Sequence, residues 1–446
     1  MLDILFRDIT VVPMSSMSSM SSMPSISGSH GFFKGSVGVS GKKIAYVGES
    51  KPLEAKRVID GRGKVLIPGL YNCHSHSPMV LLRGYAGDKP LQEWLFDYII
   101  PAEQAMPPEG AYRGAILAIA EMVASGTIAF SDMYFNVEDI ARAVDETGVK
   151  ANITNAMTGF GIDFKKDRSY TQTLAVHKNF ASLSHGRIKA EAGIHGEYTS
   201  DPHAWHQCLD FAHEHGLRMH LHLSETKREH EECKARHNMT PAQVFEKHGV
   251  FGVPTTAAHC VWAEEQDLDI FLDKKVNVVH NPISNLKLAS GFAPVSRMLS
   301  KGVNVALGTD GASSNNSLDL FEEIKIGSIL QKNATGDPRA IPALQALRLA
   351  TSNGALCQGR ENESGRIEEG LDADLAVLDF NNERQTGSLD PLSNIAYSCT
   401  GRDVWLTMCQ GKVLYEGGEF KTIDIEKAVR EAEALVASPL WKRKLG

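Results

Sequence analysis

Short stretches rich in apolar residues and punctuated by glycine lie near both ends of the chain, a pattern typical of β-strands. The stretches cover residues 3–12, 35–39, 43–47, 373–378, 404–409 and 412–416. The last segment, 424–437, instead has apolar residues at helical spacing. We expect the two ends, residues 1–65 and 370–446, to form one composite β-sandwich domain.

Between these ends, apolar runs alternate with stretches of helical periodicity. The runs lie at residues 127–132, 150–154, 189–194, 218–223, 255–259, 276–280 and 303–308. Alternating strands and helices indicate a parallel sheet, and about eight such units indicate a closed (β/α)8 barrel. The expected fold class is therefore α/β, with a TIM-like barrel over residues 66–369 beside the small β-sandwich.

Residues 14–29 form a low-complexity segment in which methionine and serine dominate. This composition offers few side chains that could be buried. We expect a flexible loop inserted in a β-hairpin, and the sequence assigns it no function.

The apolar run 65–67 is expected to begin the first barrel strand, which continues through Pro68-Gly69 and ends in two histidines separated by one residue. Because residues two apart in a strand point to the same side, His74 and His76 can direct two imidazoles toward one point. Such a pair is weak evidence for a metal by itself. Imidazole and carboxylate side chains elsewhere in the sequence strengthen the evidence for a metal.

Those distant residues end later apolar runs, where a (β/α)8 barrel carries its functional groups. His222, His259 and Asp310 each come at the end of a run. Imidazoles and a carboxylate suit zinc, or Fe(II). The proposed ligands of this divalent metal are His74, His76, His222 and Asp310, with a water completing the shell.

Two further expectations concern the neighbourhood of the metal. No lysine ends the middle strands as a candidate bridging ligand, so one metal per subunit is expected rather than two. His220, which precedes His222 by two positions, is expected to face away from the barrel mouth.

Hydrolysis at such a metal needs groups that move protons. Zinc lowers the pKa of bound water toward neutrality, which makes a nucleophile available. Glu225 follows His222 by three residues and can reach the same metal from the next loop, where it would transfer a proton. His259 would hydrogen-bond the attacking water or polarise it.

Composition narrows the class of partner. The net charge is −8 at pH 7 without a Lys/Arg-rich block, so we expect small molecules rather than nucleic acid or a membrane as partners. Seven scattered cysteines without C-x-x-C spacing suit a reducing compartment. No apolar run reaches transmembrane length, and the chain is expected to be cytoplasmic.

Several segments resemble the amidohydrolase superfamily, in its cytosine deaminase-like and triazine hydrolase-like branch, and most closely the 5-methylthioadenosine/S-adenosylhomocysteine deaminases. The matching segments are Pro-Gly-Leu-Tyr-Asn-Cys-His-Ser-His at 68–76, Leu-Leu-Arg-Gly at 81–84, Glu-Trp-Leu at 93–95, Pro-Ala-Glu at 101–103, His-Leu-Ser-Glu-Thr at 222–226, Ala-His-Cys-Val at 258–261, His-Asn-Pro-Ile-Ser-Asn-Leu-Lys-Leu at 280–288, Leu-Gly-Thr-Asp-Gly-Ala at 307–312 and Gly-Arg-Ile-Glu-Glu-Gly at 365–370.

The resemblance implies a mononuclear metal-dependent deaminase that converts an adenine nucleoside into the inosine-type product and ammonia. Water would attack C6 of the purine, and Glu225 would protonate the ring nitrogen and then help ammonia to leave. Asp310 and His259 would manage the proton of the water and stabilise the tetrahedral intermediate.

The resemblance also implies substrate contacts. Glu103 matches a glutamate that holds the ribose hydroxyls, as a carboxylate can accept from a cis-diol. Trp94 matches an aromatic residue near the base or thioether, and His195 a histidine that contacts substrate at a strand end.

The pocket for the 5′ substituent departs from the family pattern. Asn155 stands where members that accept S-adenosylhomocysteine carry an arginine, and Arg168 could supply a second cation. An uncharged 5′ group is therefore favoured, as in 5′-methylthioadenosine, 5′-deoxyadenosine or adenosine.

Other functions remain open on sequence grounds. One is a hydrolase of a triazine, guanine or a pterin on the same scaffold, although a triazine has no diol for Glu103. Another is a non-catalytic assembly protein, which should have lost ligands that this chain retains. Homo-oligomers are common in the superfamily, but no segment identifies an interface.

Overall fold

The computed structural model describes residues 1–15, 31–181, 184–439 and 441–442. Its strands, in chain order, are β1 Leu2–Val11, β2 Phe33–Ser40, β3 Lys43–Gly48, β4 Ala55–Asp60, β5 Lys64–Pro68, β6 Leu70–Ser75, β7 Thr127–Met133, β8 Lys150–Thr154, β9 Ile188–Ile194, β10 Arg218–Leu223, β11 Thr255–His259, β12 Asn277–His280, β13 Val305–Leu307, β14 Leu375–Asp379, β15 Val404–Cys409, β16 Lys412–Glu416 and β17 Glu419–Phe420.

The strands from the two chain ends form one mixed sheet with the order β17-β16-β15-β14-β5-β1-β2-β3, in which β4 also pairs with β1. The join is antiparallel, between β5 and β14. Buried side chains from both ends share its core, including Phe6, Val37, Leu66, Val377 and Met408. The strand-forming stretches at the two ends thus bury their apolar side chains in one core.

The central strands β6 to β13 follow one another in a single sheet in sequence order. Parallel pairing is explicit between neighbours such as β9 and β10 or β11 and β12. The sheet closes where the Asp310 amide donates to the His74 carbonyl at 3.0 Å. Strands such as β7 and β11 are buried at every position, as expected where helices cover a parallel sheet.

Helices connect the barrel strands and extend into the C-terminal part of the chain. The α-helices are Leu91–Glu93, Ile100–Gln104, Gly110–Ala124, Val137–Thr147, Arg168–Asn179, Pro202–His215, Lys227–His237, Pro241–Lys247, Glu265–Asp273, Pro282–Lys287, Val295–Lys301, Leu320–Thr335, Ala343–Leu349, Ser352–Cys357, Pro391–Tyr397 and Ile425–Val436. A π-helix spans Trp94–Ile99, and 3₁₀ turns span Ser77–Leu82, Phe164–Lys166, Glu197–Thr199, Val250–Gly252 and Gly401–Asp403.

The predicted α/β class, a (β/α)8 barrel with a sheet domain built from both chain ends, is confirmed. Contacts divide the chain into two compact units, one with residues 1–72, 121–129 and 319–422 and the other with the remainder. The domain limits expected from the sequence, 1–65 with 370–446 and 66–369, stay a prediction.

The first barrel strand differs from the expectation. The run 65–67 belongs to β5 of the mixed sheet, and the barrel starts separately with β6. Gly69 separates them, and a Cβ there would lie 2.5 Å from the Ile128 side chain. Because β6 ends at Ser75, His74 lies within this strand and His76 follows it.

The predicted flexible loop at 14–29 falls, apart from Met14 and Ser15, outside the described residues. Its flanking strands, β1 and β2, pair antiparallel. Among the described helices, none combines the length and apolarity that crossing a bilayer requires.

Candidate metal centre and active site

The proposed metal ligands meet at the carboxyl ends of three barrel strands. His74 and His76 come from β6, His222 from β10, and Asp310 follows β13. The ring centroids of His74 lie 4.8 Å from His76 and 4.9 Å from His222. Asp310 Oδ1 is 3.1 Å from His76 Nε2 and 3.4 Å from His74 Nε2.

Two of these imidazoles are oriented by backbone carbonyls. His76 Nδ1 is 2.5 Å from the Met133 carbonyl oxygen, and His222 Nδ1 is 2.7 Å from that of His195. A carbonyl only accepts, so in the neutral form of each ring Nδ1 carries the proton and Nε2 keeps its lone pair. This tautomer is the one that coordinates a metal through Nε2.

His74 is fully buried and provides the test of whether a metal fits. Its Nδ1 lies 3.0 Å from His220 Nε2, whereas its Nε2 has no hydrogen-bond partner among the described residues. A buried ring nitrogen without a partner is costly unless something binds it. A divalent cation facing His74 Nε2, other imidazoles and a carboxylate would satisfy it.

Asp310 contributes the negative charge of the cluster. Its Oδ2 accepts hydrogen bonds from Ser284 Oγ at 2.6 Å and Ser314 Oγ at 3.0 Å, which leaves Oδ1 toward the histidines. Burial opposes ionisation, but contacts with His74 and His76 hold the pKa of Asp310 well below its usual value. The site therefore favours a positive charge beside this carboxylate.

His259, at the end of β11, is a fifth donor at the same point. Its Nδ1 lies 2.8 Å from Asn285 Oδ1, and its ligand atom groups with those of His74 and His222 within 4.8 Å. A second group of the same spacing contains His74, His76 and Asp310. The donor set thus has nitrogen and oxygen atoms suited to zinc.

Strained backbone conformations mark the same strand ends. Ser224, His259 and Asp310 have φ values of 47°, 73° and 60°, in a region that residues with a Cβ adopt rarely. Such strain is retained where surrounding contacts enforce it, often at functional sites.

Glu225 lies at the mouth, directly after β10. Its carboxylate Oε2 is 3.9 Å from His259 Nε2, and its side chain is almost fully buried. Burial, with the Asp310 charge, raises the pKa of Glu225 to about 8. The Glu229 carboxylate accepts from the backbone amides of Ser224 and Glu225 at 2.9 and 2.7 Å, so this loop is held in place.

Trp94 and Glu103 lie on the helical segment after β6. Trp94 is buried and begins a π-helix, an irregularity common at functional sites. Glu103 Oε1 is a buried atom without a hydrogen-bond partner among the described residues. Burial raises the pKa of Glu103 to about 7, against the lowering effect of the Tyr134 hydroxyl.

Of the other predicted substrate contacts, His195 lies against the histidine cluster. It follows β9, and its ring centroid is 4.8 Å from that of His222. Asn155 follows β8 and donates to Gln172 Oε1 at 2.8 Å. Arg168 begins a helix, is exposed, and donates to Asn136 Oδ1 at 3.0 Å.

The expectation for His220 is wrong. It lies in the barrel interior beneath the cluster, bonded to His74 and fully buried. The same two-residue periodicity that brings His74 and His76 together places His220 on the face of His222. Its partner Glu191, on β9, was not predicted; a carboxylate in the middle of the run 189–194 was the available signal.

Comparison with known proteins identifies the family of the chain. The model of the amidohydrolase family matches residues 65–414. The chain belongs to the amidohydrolase family.

Named relatives cover nearly the same length. The chain is 43% identical over 391 residues to the 5-methylthioadenosine/S-adenosylhomocysteine deaminase of Dictyoglomus thermophilum, covering 87% of this chain and 91% of the relative. It is 40% identical over 408 residues to the 5′-deoxyadenosine deaminase of Methanothermobacter thermautotrophicus, covering 91% and 95%.

Solved structures agree with the fold. A zinc-bound adenosine deaminase from Xanthomonas campestris superposes with a TM-score of 0.89 at 29% identity, covering 100% of this chain and 98% of that one. An atrazine chlorohydrolase from Arthrobacter aurescens, complexed with zinc, has a TM-score of 0.85 at 23% identity, with 97% and 100% covered, and shows the fold alone. Family and cluster together support a hydrolase with a divalent metal site.

Proposed function

We propose that this chain is a metal-dependent hydrolytic deaminase of adenine nucleosides. The observation that carries the proposal is the buried carboxyl group of Glu225 beside a cluster of imidazoles and a carboxylate. An acid with a raised pKa next to a metal site can protonate a ring nitrogen at neutral pH. Relatives named for nucleoside deamination support the choice of substrate class.

The proposed metal is one zinc ion per chain, held by His74, His76, His222 and Asp310. Zinc is favoured over iron because a related adenosine deaminase has zinc bound. When bound, the metal supplies a water nucleophile at neutral pH. His259, whose Nδ1 is held by Asn285, is assigned to hydrogen-bonding that water rather than to ligation.

The chain's own groups then move the protons. Glu225 donates a proton to the purine ring nitrogen while the water oxygen forms a bond to C6. Asp310 and His259 accept and hold the proton of the water. Glu225, now a carboxylate, takes the remaining proton of the C6 hydroxyl and passes it to the exocyclic nitrogen as the C6–N bond breaks, so that ammonia leaves and C6 becomes the carbonyl of the inosine-type product. The ring nitrogen keeps the first proton, and the proton held by Asp310 and His259 returns to Glu225.

Glu103, Trp94 and His195 are the proposed substrate contacts. The unpartnered Oε1 of Glu103 is available to accept from a ribose hydroxyl. The buried indole of Trp94 offers a flat apolar surface to the base or the 5′ group. The diol contact favours a nucleoside over a triazine, which has no ribose.

The 5′ substituent is proposed to be uncharged. Asn155 carries no charge, and its amide donates to Gln172 rather than being unpaired. Arg168 is exposed and bonded to Asn136, so it is a poor anchor for an amino-acid carboxylate. We therefore favour 5′-methylthioadenosine, 5′-deoxyadenosine or adenosine over S-adenosylhomocysteine.

The cytoplasm is the proposed location. All seven cysteines lie within the described residues as buried free thiols, as reducing compartments maintain them.

The test is a spectrophotometric screen of the purified chain against adenosine, 5′-methylthioadenosine, 5′-deoxyadenosine, S-adenosylhomocysteine, guanine and melamine. The adenine-to-hypoxanthine absorbance change is expected with the first three, together with stoichiometric ammonia. Turnover of guanine or melamine alone would contradict the nucleoside assignment. An inactive chain that purifies without stoichiometric zinc or iron would favour a non-catalytic protein.

A further inference from the structure

The barrel interior beneath the cluster is polar where barrels of this type are packed with branched apolar residues. Glu191 on β9 and His220 on β10 are both less than 2% exposed. His220 Nδ1 lies 3.3 Å from Glu191 Oε2, and His220 Nε2 lies 3.0 Å from His74 Nδ1. A continuous chain of contacts thus runs from a buried carboxylate to a proposed metal ligand.

When His220 is neutral, only one arrangement of protons satisfies the contacts among Glu191, His220 and His74. A carboxylate accepts, so His220 Nδ1 donates to Glu191. His220 Nε2 then accepts from His74 Nδ1, and His74 Nε2 retains the lone pair that faces the cluster. Among the described hydrogen-bond partners of the Nδ1 atoms of His74, His76 and His222, only that of His74 is a side chain.

Glu191 is itself held as an anion. Asn152 Nδ2 donates to its Oε1 at 2.7 Å, and Arg218 Nε lies 3.6 Å from the same oxygen. Burial alone raises the pKa of Glu191, but His220, Arg218 and Asn152 together lower it below its usual value. Burying a charge costs folding free energy, so the buried Glu191 carboxylate is expected to have a functional role.

We propose that Glu191 and His220 are positioning residues that fix the tautomer and orientation of His74 and so tighten metal binding. The proposal rests on the function proposed above, since it takes His74 as a ligand. Partners of this kind typically change metal affinity by about 10- to 100-fold when removed. Both residues act through His74, and neither is proposed to contact the substrate.

The experiment measures the zinc dissociation constant of the full chain by competition with a chromophoric chelator. Glu191→Gln keeps the shape and removes the charge, and we expect zinc binding to weaken about tenfold. His220→Leu removes the acceptor for His74 and should weaken binding by about 10- to 100-fold. His220→Gln, whose amide oxygen can still accept, should restore most of the loss.

Asp267→Asn is the matched control, since it neutralises another fully buried carboxylate, which bonds Thr240 and the Glu264 amide. It should alter the unfolding midpoint but leave the zinc dissociation constant unchanged. If a histidine variant folds poorly, Glu191→Gln and the absorption spectrum of its Co²⁺-substituted form still decide the point, because a merely structural role would leave that spectrum unchanged.

A double variant tests whether the two residues act in series. Because Glu191 works through His220, the combined variant should bind zinc no more weakly than His220→Leu alone. Effects that multiply, or single variants that bind zinc as tightly as the unaltered chain, would overturn the proposal. An unaltered chain that binds no divalent metal would instead refute the proposed function, so the two failures are distinguishable.

Discussion

His259 Nε2 lies 3.9 Å from Glu225 Oε2, although the two side chains come from different strands of the barrel. The register of β10 and β11 places Leu223 opposite His259, so the loop carrying Glu225 starts at the level of the imidazole. The separation is too long for a hydrogen bond, so each group can address a third molecule between or beside them.

Replacing the proposed proton donor should uncouple metal binding from turnover. Glu225→Gln preserves the shape of the side chain but cannot donate and recover a proton at neutral pH. We expect unchanged zinc content and a kcat lowered by about 10²- to 10⁴-fold. Metal analysis and steady-state deamination assays measure the two quantities. Glu264→Gln, a matched change of an exposed carboxylate, should leave both zinc content and kcat near normal. Near-normal turnover of Glu225→Gln would show that the proton donor is wrongly assigned.

Removing the metal should abolish deamination and destabilise the protein. A ligand that binds only the folded state stabilises it by RT ln(1 + [L]/Kd), about 2.7 kcal/mol when its concentration is 100 times Kd. Chelation should therefore lower the melting temperature and activity together, and one equivalent of zinc should restore both. Restoration by Fe(II) alone under anaerobic conditions would contradict the choice of zinc.

The fold was largely predictable because its periodicities are strong. Buried runs such as Thr127–Met133 identify barrel strands, and the predicted terminal helix at 424–437 is observed as Ile425–Val436. The sequence could not show that the run at 65–67 pairs with β14 instead of entering the barrel. That pairing joins segments from opposite ends of the chain, so no local pattern specifies it.

The candidate site was predictable as far as strand ends determine it. Donor atoms of His74, His222 and His259, and of His74, His76 and Asp310, lie close together because the strands that position them end at one edge of the barrel. Their supporting contacts were not predictable, since the hydrogen bonds between His259 and Asn285 and between Ser284 and Asp310 join different elements 26 positions apart in sequence. Their roles as ligands and catalytic groups stay predictions.

The proposed diol contact should appear as a selective loss for ribonucleosides. Glu103→Gln removes the charge from a carboxylate whose hydrogen bonds contribute about 1.5–3 kcal/mol each, so kcat/KM for adenosine should fall roughly 10- to 100-fold. 2′,3′-Dideoxyadenosine lacks both hydroxyls and serves as the internal control. An equal loss with both substrates would indicate a structural role for Glu103.

The same contact predicts a pH dependence. Burial raises the pKa of Glu103 to about 7, so its carboxylate is formed as the pH rises through 7 and is lost as the pH falls below it. The ratio of kcat/KM for adenosine to that for 2′,3′-dideoxyadenosine should therefore decrease from pH 8 to about pH 6. Taking the ratio cancels titrations that both substrates share. A ratio that is flat in the unaltered chain, or equally steep in Glu103→Gln, would contradict the assignment.

A cation introduced at position 155 should change the preferred 5′ substituent. Asn155→Arg supplies charge and several donors where the native side chain bonds Gln172. A charge-assisted hydrogen bond to the amino-acid carboxylate of S-adenosylhomocysteine contributes about 1.5–3 kcal/mol, which raises its kcat/KM relative to 5′-methylthioadenosine roughly 10- to 100-fold. Asn155→Gln, which is longer but uncharged, should leave the ratio unchanged. If both variants shift the ratio equally, the pocket discriminates by size, and the account of Asn155 by charge is wrong.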